Sequence, residues 1–203
     1  MTRDPAPRGR LIPLRRLEGR PDEMSDESLL GACAAGEAAA LGALFDRHGA
    51  RTAGFLRRIA RAEWPDVADL LQATFIEAQR SAGSYRGQSA VSTWLMGIAA
   101  HIASHHARSE QRRRRAEGGL SLVPVTHVKT PGEVAERQQL LLRLSDGIQA
   151  LPSDLRVAYV LCELEETSGR EAAQALQISE AKLWRRLHDA KVFLRRFIDG
   201  DLG

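Results

Sequence analysis

Cysteine is almost missing from this chain. Cys33 and Cys162 stand alone among 203 residues, with no Cys-x-x-Cys pair, which excludes a disulfide framework and a thiolate zinc site. Both lie among apolar neighbours and read as small core residues rather than reactive thiols. No apolar signal segment follows Met1-Thr2-Arg3-Asp4-Pro5, so the expected location is the cytoplasm. The segment Gly87 to Ala107 contains no Asp, Glu, Lys or Arg, over roughly the length of a membrane span. Its three histidines, its serines, Thr93 and Gln88, and the one-sided period of its apolar residues, make it an amphipathic helix with a leading loop instead. No alternating strand pattern occurs, so the fold expected is all-α. Gly-x-Ser-x-Gly, a phosphate loop, His-Glu-x-x-His and paired carboxylates in a plausible pocket are also missing, so no enzyme and no cofactor is expected.

What the chain does have is clustered positive charge. A net charge of +3 and a pI near 9.2 are only mildly basic. The cations, however, gather in two blocks, Arg108 with Arg112–Arg115, and Lys182, Arg185, Arg186, Lys191, Arg195 and Arg196. A single such block usually marks a solvated helix face. Two of them on two expected helices point to a polyanion, most simply nucleic acid. The length suits one large or two small domains, and 43% hydrophobic content supports ordinary cores.

Taken in order, residues 1–24 are rich in Pro, Gly and Arg and form an expected disordered basic leader. Asp26 and Glu27 suit a helix N-terminus, though Ser25 completes no proper capping box, and the first helix runs through Leu29, Leu30 and Cys33 to Gly36. A second starts near Glu37 and is expected to bury Leu41, Leu44, Phe45, His48 or Ala53, and Leu56 before Trp64-Pro65 breaks it. A third, from about Asp66 to Arg80, turns Val67, Leu70, Leu71, Thr74, Phe75 and Ala78 inward. Asp66, Asp69, Gln72, Ile76 and Glu77 are left outside. After the loop Ser84–Ser89, a fourth helix repeats Val91, Trp94, Leu95, Ile98, Ala99 and Ile102 on one stripe. The opposite face carries Ser92, Thr93, Met96, Ala100, His101, Ser104, His105 and Arg108, with no carboxylate, and the helix ends in Arg112–Arg115.

A Gly- and Pro-containing linker then covers residues 116–130. Thr130-Pro131-Gly132-Glu133 is a capping box, opening a helix with Val134, Leu141, Leu144, Ile148 and Leu151 inward. Another helix starts at Leu151-Pro152-Ser153-Asp154 and ends near Glu165. Ser168-Gly169-Arg170-Glu171 caps a short helix to Leu176. Gln177-Ile178-Ser179 makes a tight turn, and a long basic helix follows from Glu180 to about Ile198, with Leu183, Leu187, Ala190, Leu194 and Phe197 inward. Short helix, turn and long basic helix form a helix-turn-helix. Two small helical domains joined by a flexible linker are therefore expected, over residues 25–115 and 131–203.

Asp69-Leu70-Leu71-Gln72-Ala73-Thr74-Phe75, then Tyr85-Arg86-Gly87, then Thr93-Trp94-Leu95-Met96-Gly97-Ile98-Ala99, resemble region 2 of the extracytoplasmic-function (ECF) sigma factors of bacterial RNA polymerase. The segment Glu171 to Ser179 and the helix behind it resemble region 4 of the same family. This resemblance implies a transcription initiation factor that binds core RNA polymerase and promoter DNA, and it implies an anti-sigma partner. It places the polymerase contact on Asp69, Gln72 and Ile76. The melted minus-ten element falls to Tyr85, Arg86, Thr93, Ala100, His101 and Arg108. The minus-thirty-five duplex falls to Ser179, Lys182, Trp184, Arg185 and Arg186.

The chain departs from the family pattern in several places. Ala100-His101 replace a common Arg-Asn, Trp184 a lysine, Asp189 an arginine and Gln177 a turn glycine. Trp94 reads as core from its inward stripe. His101 and His105 have the i, i+4 spacing of a metal pair, but no carboxylate or thiol stands beside them and no metal is assigned. The competing reading is an autonomous helix-turn-helix regulator, which would use the C-terminal helix alone.

Overall fold

A computed structural model describes residues 20–60, 66–116 and 133–200. Its described residues are helices and connecting turns. A short 3-10 turn at Pro21–Glu23 precedes α1 (Asp26–Ala34), α2 (Ala38–Ile59), α3 (Val67–Ser81), a 3-10 turn (Ala82–Ser84) and α4 (Val91–Ala116). The second half holds α5 (Glu133–Ala150), α6 (Ser153–Tyr159) with a π-helical tail (Val160–Leu164), α7 (Gly169–Ala175) and α8 (Glu180–Asp199). Residues 1–19 of the basic leader, Trp64-Pro65, residues 117–130 of the linker and Pro131-Gly132 lie outside the described segments, whereas residues 20–24 of the leader are described and hold the first 3-10 turn.

The helix starts follow capping chemistry. Ser25 is the cap of α1 after all, its hydroxyl accepting from the Ser28 N–H. Asp66 caps α3 through the Ala68 N–H. Ser168 accepts from the Glu171 N–H, the first half of a capping box, and its hydroxyl donates to the Glu171 carboxylate. Ser179 caps α8, and Gly200 ends it at a φ of 85°.

One cluster belongs to the first half alone: Leu29, Leu30, Cys33, Leu44, Phe75, Ala78, Val91 and Leu95. Here Arg47 pins the N-terminal approach, donating to the carbonyls of Pro21, Asp22 and Met24 and to Asp26 Oδ1 at 2.9 Å. Burial pushes the Asp26 carboxyl up, but the Arg47 hydrogen bond and His48, whose Nε2 lies 2.7 Å from Oδ2, hold it below the ordinary carboxylate range. A lowered folded-state value means stability that is present above the ordinary range and lost as pH falls through the folded one. Asp26→Asn is therefore expected to lower the denaturation midpoint at neutral pH, by roughly 1 kcal/mol or less for a partly exposed pair. The gap to the parent should close in strong acid, which urea titrations at both pH values measure.

The larger cluster joins the halves. Phe55, Leu56, Ile59, Leu70, Met96, Ala99, Ala100 and Ala103 pack with Leu151, Val157, Val160, Leu161, Ala172, Ala173 and Leu183. Helix α2 serves both cores, Leu44 near its start facing one and Phe55 to Ile59 near its end facing the other. Two expected core positions come out differently. Phe45 is 44% exposed, with its ring edge on Phe75, and Leu141 is 59% exposed. Their spacing marks a face correctly, but no described element covers that face. Burial lifts the Cys33 thiol to about 11, aided by Glu37, and raises Cys162 as well. Both stay protonated and inert at neutral pH.

Candidate nucleic-acid and polymerase interfaces

Helix α3 presents Asp66, Asp69, Gln72, Ile76 and Glu77 to solvent while Leu70, Thr74, Phe75 and Ala78 are buried. Beside that exposed stripe runs an apolar groove of about 520 Å³ between α2 and α3, walled by Leu41, Phe45, Leu71 and Phe75 and edged by Gln72 and Ile76. Sequence reasoning missed the groove because it placed Phe45 in the core.

The loop behind α3 is tied down by its own residues. Tyr85 donates its hydroxyl to the Ser89 carbonyl at 2.6 Å and meets Trp94 edge-on at 5.5 Å between ring centres. Burial, with Glu27 and Asp26 nearby, raises the phenol and keeps it a donor. Tyr85 is thus half-buried rather than a free stacking platform. Arg86 is exposed and bonds the Gly83 carbonyl, and Gly87 takes a φ of 67°, which glycine permits.

The outer face of α4 is where expectation and structure part. Thr93, Met96 and Ala100 are buried at 7%, 1% and 3% exposure. Helix α7 packs on α4 at this level: a Cβ placed on Gly97 would fall 2.3 Å from the Ala175 carbonyl oxygen, so backbone meets backbone there. His101 and Arg108 remain exposed at the rim of a cleft of about 660 Å³ that Asp154, Gln177 and Arg186 complete from the second half. Among the described residues no group of three or more His, Cys, Asp or Glu is placed to hold a metal ion.

Polar contacts hold the halves together as well. Glu165, buried at the end of the π-helical tail, bonds Arg51 Nε at 3.0 Å and Arg58 Nη1 at 2.6 Å, both on α2. Arg156, fully buried, donates to the Leu151 and Gln149 carbonyls on its own side and to those of Ile59 and Ala60 at the end of α2. Neither was foreseen as an interface residue.

In the helix-turn-helix, Leu183, Leu187, Ala190 and Leu194 are buried, with Phe197 only half-buried. Lys182 and Arg185 are exposed, Trp184 is 52% exposed, and the exposed Ser179 is engaged in capping. Arg186 is half-buried and paired with Asp154 at 3.2 Å, so only Arg185 of the two stands clear. Gln177 adopts a φ of 54°, the left-handed value of the turn glycine it replaces, at a cost on the order of 1 kcal/mol.

The sequence matches Sigma-70 region 2 over residues 44–113 and Sigma-70 region 4 over residues 141–194, together more than half of the chain. The chain belongs to the ECF sigma factors. It is 29% identical over 185 residues to the ECF RNA polymerase sigma-E factor of Haemophilus influenzae, spanning 87% of this chain and 97% of that one. With the sigma-E factor of Escherichia coli K12 it shares 28% over 181 residues, 84% and 92% of the two chains. Two solved structures share the fold. CnrH in complex with the cytosolic domain of CnrY matches at 24% identity and a TM-score of 0.59, covering 87% of this chain and 98% of that chain. RpoE in complex with the anti-sigma factor NepR, from Bartonella quintana, matches at 16% and 0.59, covering 76% and 94%. As a sigma factor the chain is a transcription initiation factor that binds core polymerase and promoter DNA. No described helix is long and apolar enough to cross a membrane.

Proposed function

We propose that this sigma factor docks on core RNA polymerase through the α2–α3 groove and its rim residues Asp69, Gln72 and Ile76. Lys182, Trp184 and Arg185 on α8, entered at Ser179, meet the minus-thirty-five duplex in the major groove. Arg186 reaches that duplex only by exchanging Asp154 for it. Tyr85, Arg86, Thr93, Ala100, His101 and Arg108 receive the melted minus-ten strand. The observation that carries this reading is the pairing, in one chain, of an exposed basic recognition helix with an open apolar groove that a repressor would not require. It acts in the cytoplasm, makes and breaks no bond, and is held in check by an anti-sigma partner, as the sigma factor RpoE is bound by NepR.

Because Thr93 and Ala100 are buried and α7 packs on α4 at Gly97 between them, the minus-ten strand and region 4 compete for one face of α4. The halves therefore part when the strand binds. Residues 117–132, which link α4 to α5, reach at most about 55 Å when fully extended, enough for such a movement. The α2–α3 groove stays open in the closed form, so polymerase docking precedes strand capture.

Run-off transcription with core enzyme tests the reading, together with holoenzyme binding to forked and fully duplex promoter. Specific initiation and a preference for the fork are expected. Equal binding of both templates would transfer the chain to the autonomous regulators, which need duplex alone.

A further inference from the structure

Trp184 is unusual among the apolar residues of α8. Leu183, Leu187, Ala190 and Leu194 are buried, yet the indole stands 52% exposed on the second turn of the recognition helix, between the exposed Lys182 and Arg185. One side of it is nevertheless backed by the chain. A Cβ on Gly169, the first residue of α7, would fall 2.4 Å from Trp184 Cζ2 and 3.0 Å from Cε2 and Cη2. The six-membered ring therefore rests on bare backbone at the start of the helix-turn-helix, which any side chain at Gly169 would prevent. One side of the ring is supported and the rest faces outward, beside two cations suited to phosphates.

An indole carries one N–H donor and no acceptor, and its outer carbons are apolar. In the major groove the apolar feature that differs between bases is the C5-methyl group of thymine. The apolar edge of a half-exposed indole backed on one side is complementary to that group. We propose that Trp184 selects a thymine in the minus-thirty-five duplex by packing against its methyl group, and that Gly169 positions the ring for this contact. This rests on the placement of α8 in the major groove given above.

The test uses holoenzyme formed from the full chain and core polymerase, on a duplex promoter obtained by selection with that holoenzyme. Each upstream thymine is replaced singly by deoxyuridine, which removes only the methyl group. One replacement is expected to weaken binding about fourfold, the worth of burying one methyl-sized group, and the others to have little effect. Trp184→Ala should weaken binding and abolish the difference between thymine and deoxyuridine at that position, whereas Trp184→Phe should keep part of it. Gly169→Ala should also lose the discrimination, and should change nothing further when combined with Trp184→Ala. Circular dichroism verifies that the variants fold, and Trp184→Phe alone suffices should Gly169→Ala not fold. Indifference to deoxyuridine at every position overturns the proposal, as does a methyl effect that survives in Trp184→Ala. A Trp184→Ala variant weakened equally on all sequences would make the indole a backbone contact instead. Holoenzyme that ignores upstream duplex altogether would overturn the functional reading itself, and this inference with it.

Discussion

Asp69→Arg is expected to abolish binding to core RNA polymerase while leaving the fold intact. The residue is exposed in the first turn of α3, where the helix dipole favours a carboxylate. Asp66, not Asp69, provides the cap, so reversal of charge should shift folding stability by no more than about 0.5 kcal/mol. Docking is a different matter. The groove walled by Leu41, Phe45, Leu71 and Phe75 is apolar, Ile76 on its edge is 42% exposed, and Phe45 and Phe75 hold each other at 5.0 Å between ring centres. An open apolar groove with a polar rim has the anatomy of an interface centre. Replacing a rim carboxylate by a cation sets a charge against whatever Asp69 complements, and hot-spot losses of about 2 kcal/mol or more correspond to roughly thirtyfold in affinity. Ile76→Glu, which puts a charge at the groove itself, should do the same. Equilibrium binding to core enzyme with both variants decides it, and retained affinity in both would move the polymerase contact elsewhere.

What the sequence disclosed depended on whether an element's surroundings were local. Helix α3 was legible because Phe75 and Ala78 pack within its own half, Thr74 bonds the Leu70 carbonyl of its own helix, and its outer residues are exposed. The helix-turn-helix was legible because Ser168, Ser179 and the positive φ of Gln177 are set by turn chemistry within a few residues. Helix α4 was read correctly on one side only. Its Leu95 stripe is inside, but Thr93, Met96 and Ala100 are buried too, and at Gly97 among them α7 packs from more than seventy residues later, and no single-helix period reports a second neighbour. A signal did exist. Gly97 in mid-helix costs about 1 kcal/mol against alanine, and a glycine there beside Ala99, Ala100 and Ala103 marks a close backbone approach. Arg156 gave no signal at all, since its Ile59 and Ala60 partners lie 97 and 96 positions away. An arginine in a short helix ordinarily reads as surface.

The contacts that close the α4 face also show how to open it, and Glu165→Lys is the change expected to do so. Glu165 has only 5% of its side chain exposed and answers two arginines of α2. Lysine there faces Arg51 and Arg58 with like charge, and its ammonium loses both hydrogen-bond partners. The arginine side chains are about half exposed, so solvent softens the penalty below the 3–5 kcal/mol of a fully buried broken pair, to roughly 1–3 kcal/mol. That penalty falls on the closed form alone, because in the open form residue 165 is free to turn to water. Affinity for a ligand of the open form scales with the fraction of chain that is open. A shift of about 1.4 kcal/mol should therefore raise the free chain's affinity for single-stranded minus-ten DNA by about tenfold, and the radius of gyration in solution scattering should increase. High salt, which screens the pairs with Arg51 and Arg58, should move the parent chain's dimensions part of the way. Glu163→Lys is the control. Glu163 pairs with Lys191 at 2.8 Å within the second half, so the same charge reversal there leaves the closing contacts in place and should change neither quantity. If Glu165→Lys binds the single strand no better than Glu163→Lys, and is no more extended, then Glu165 does not hold the halves together, and closure rests on the Arg156 hydrogen bonds to Ile59 and Ala60 and on the apolar packing around Met96 and Ala172.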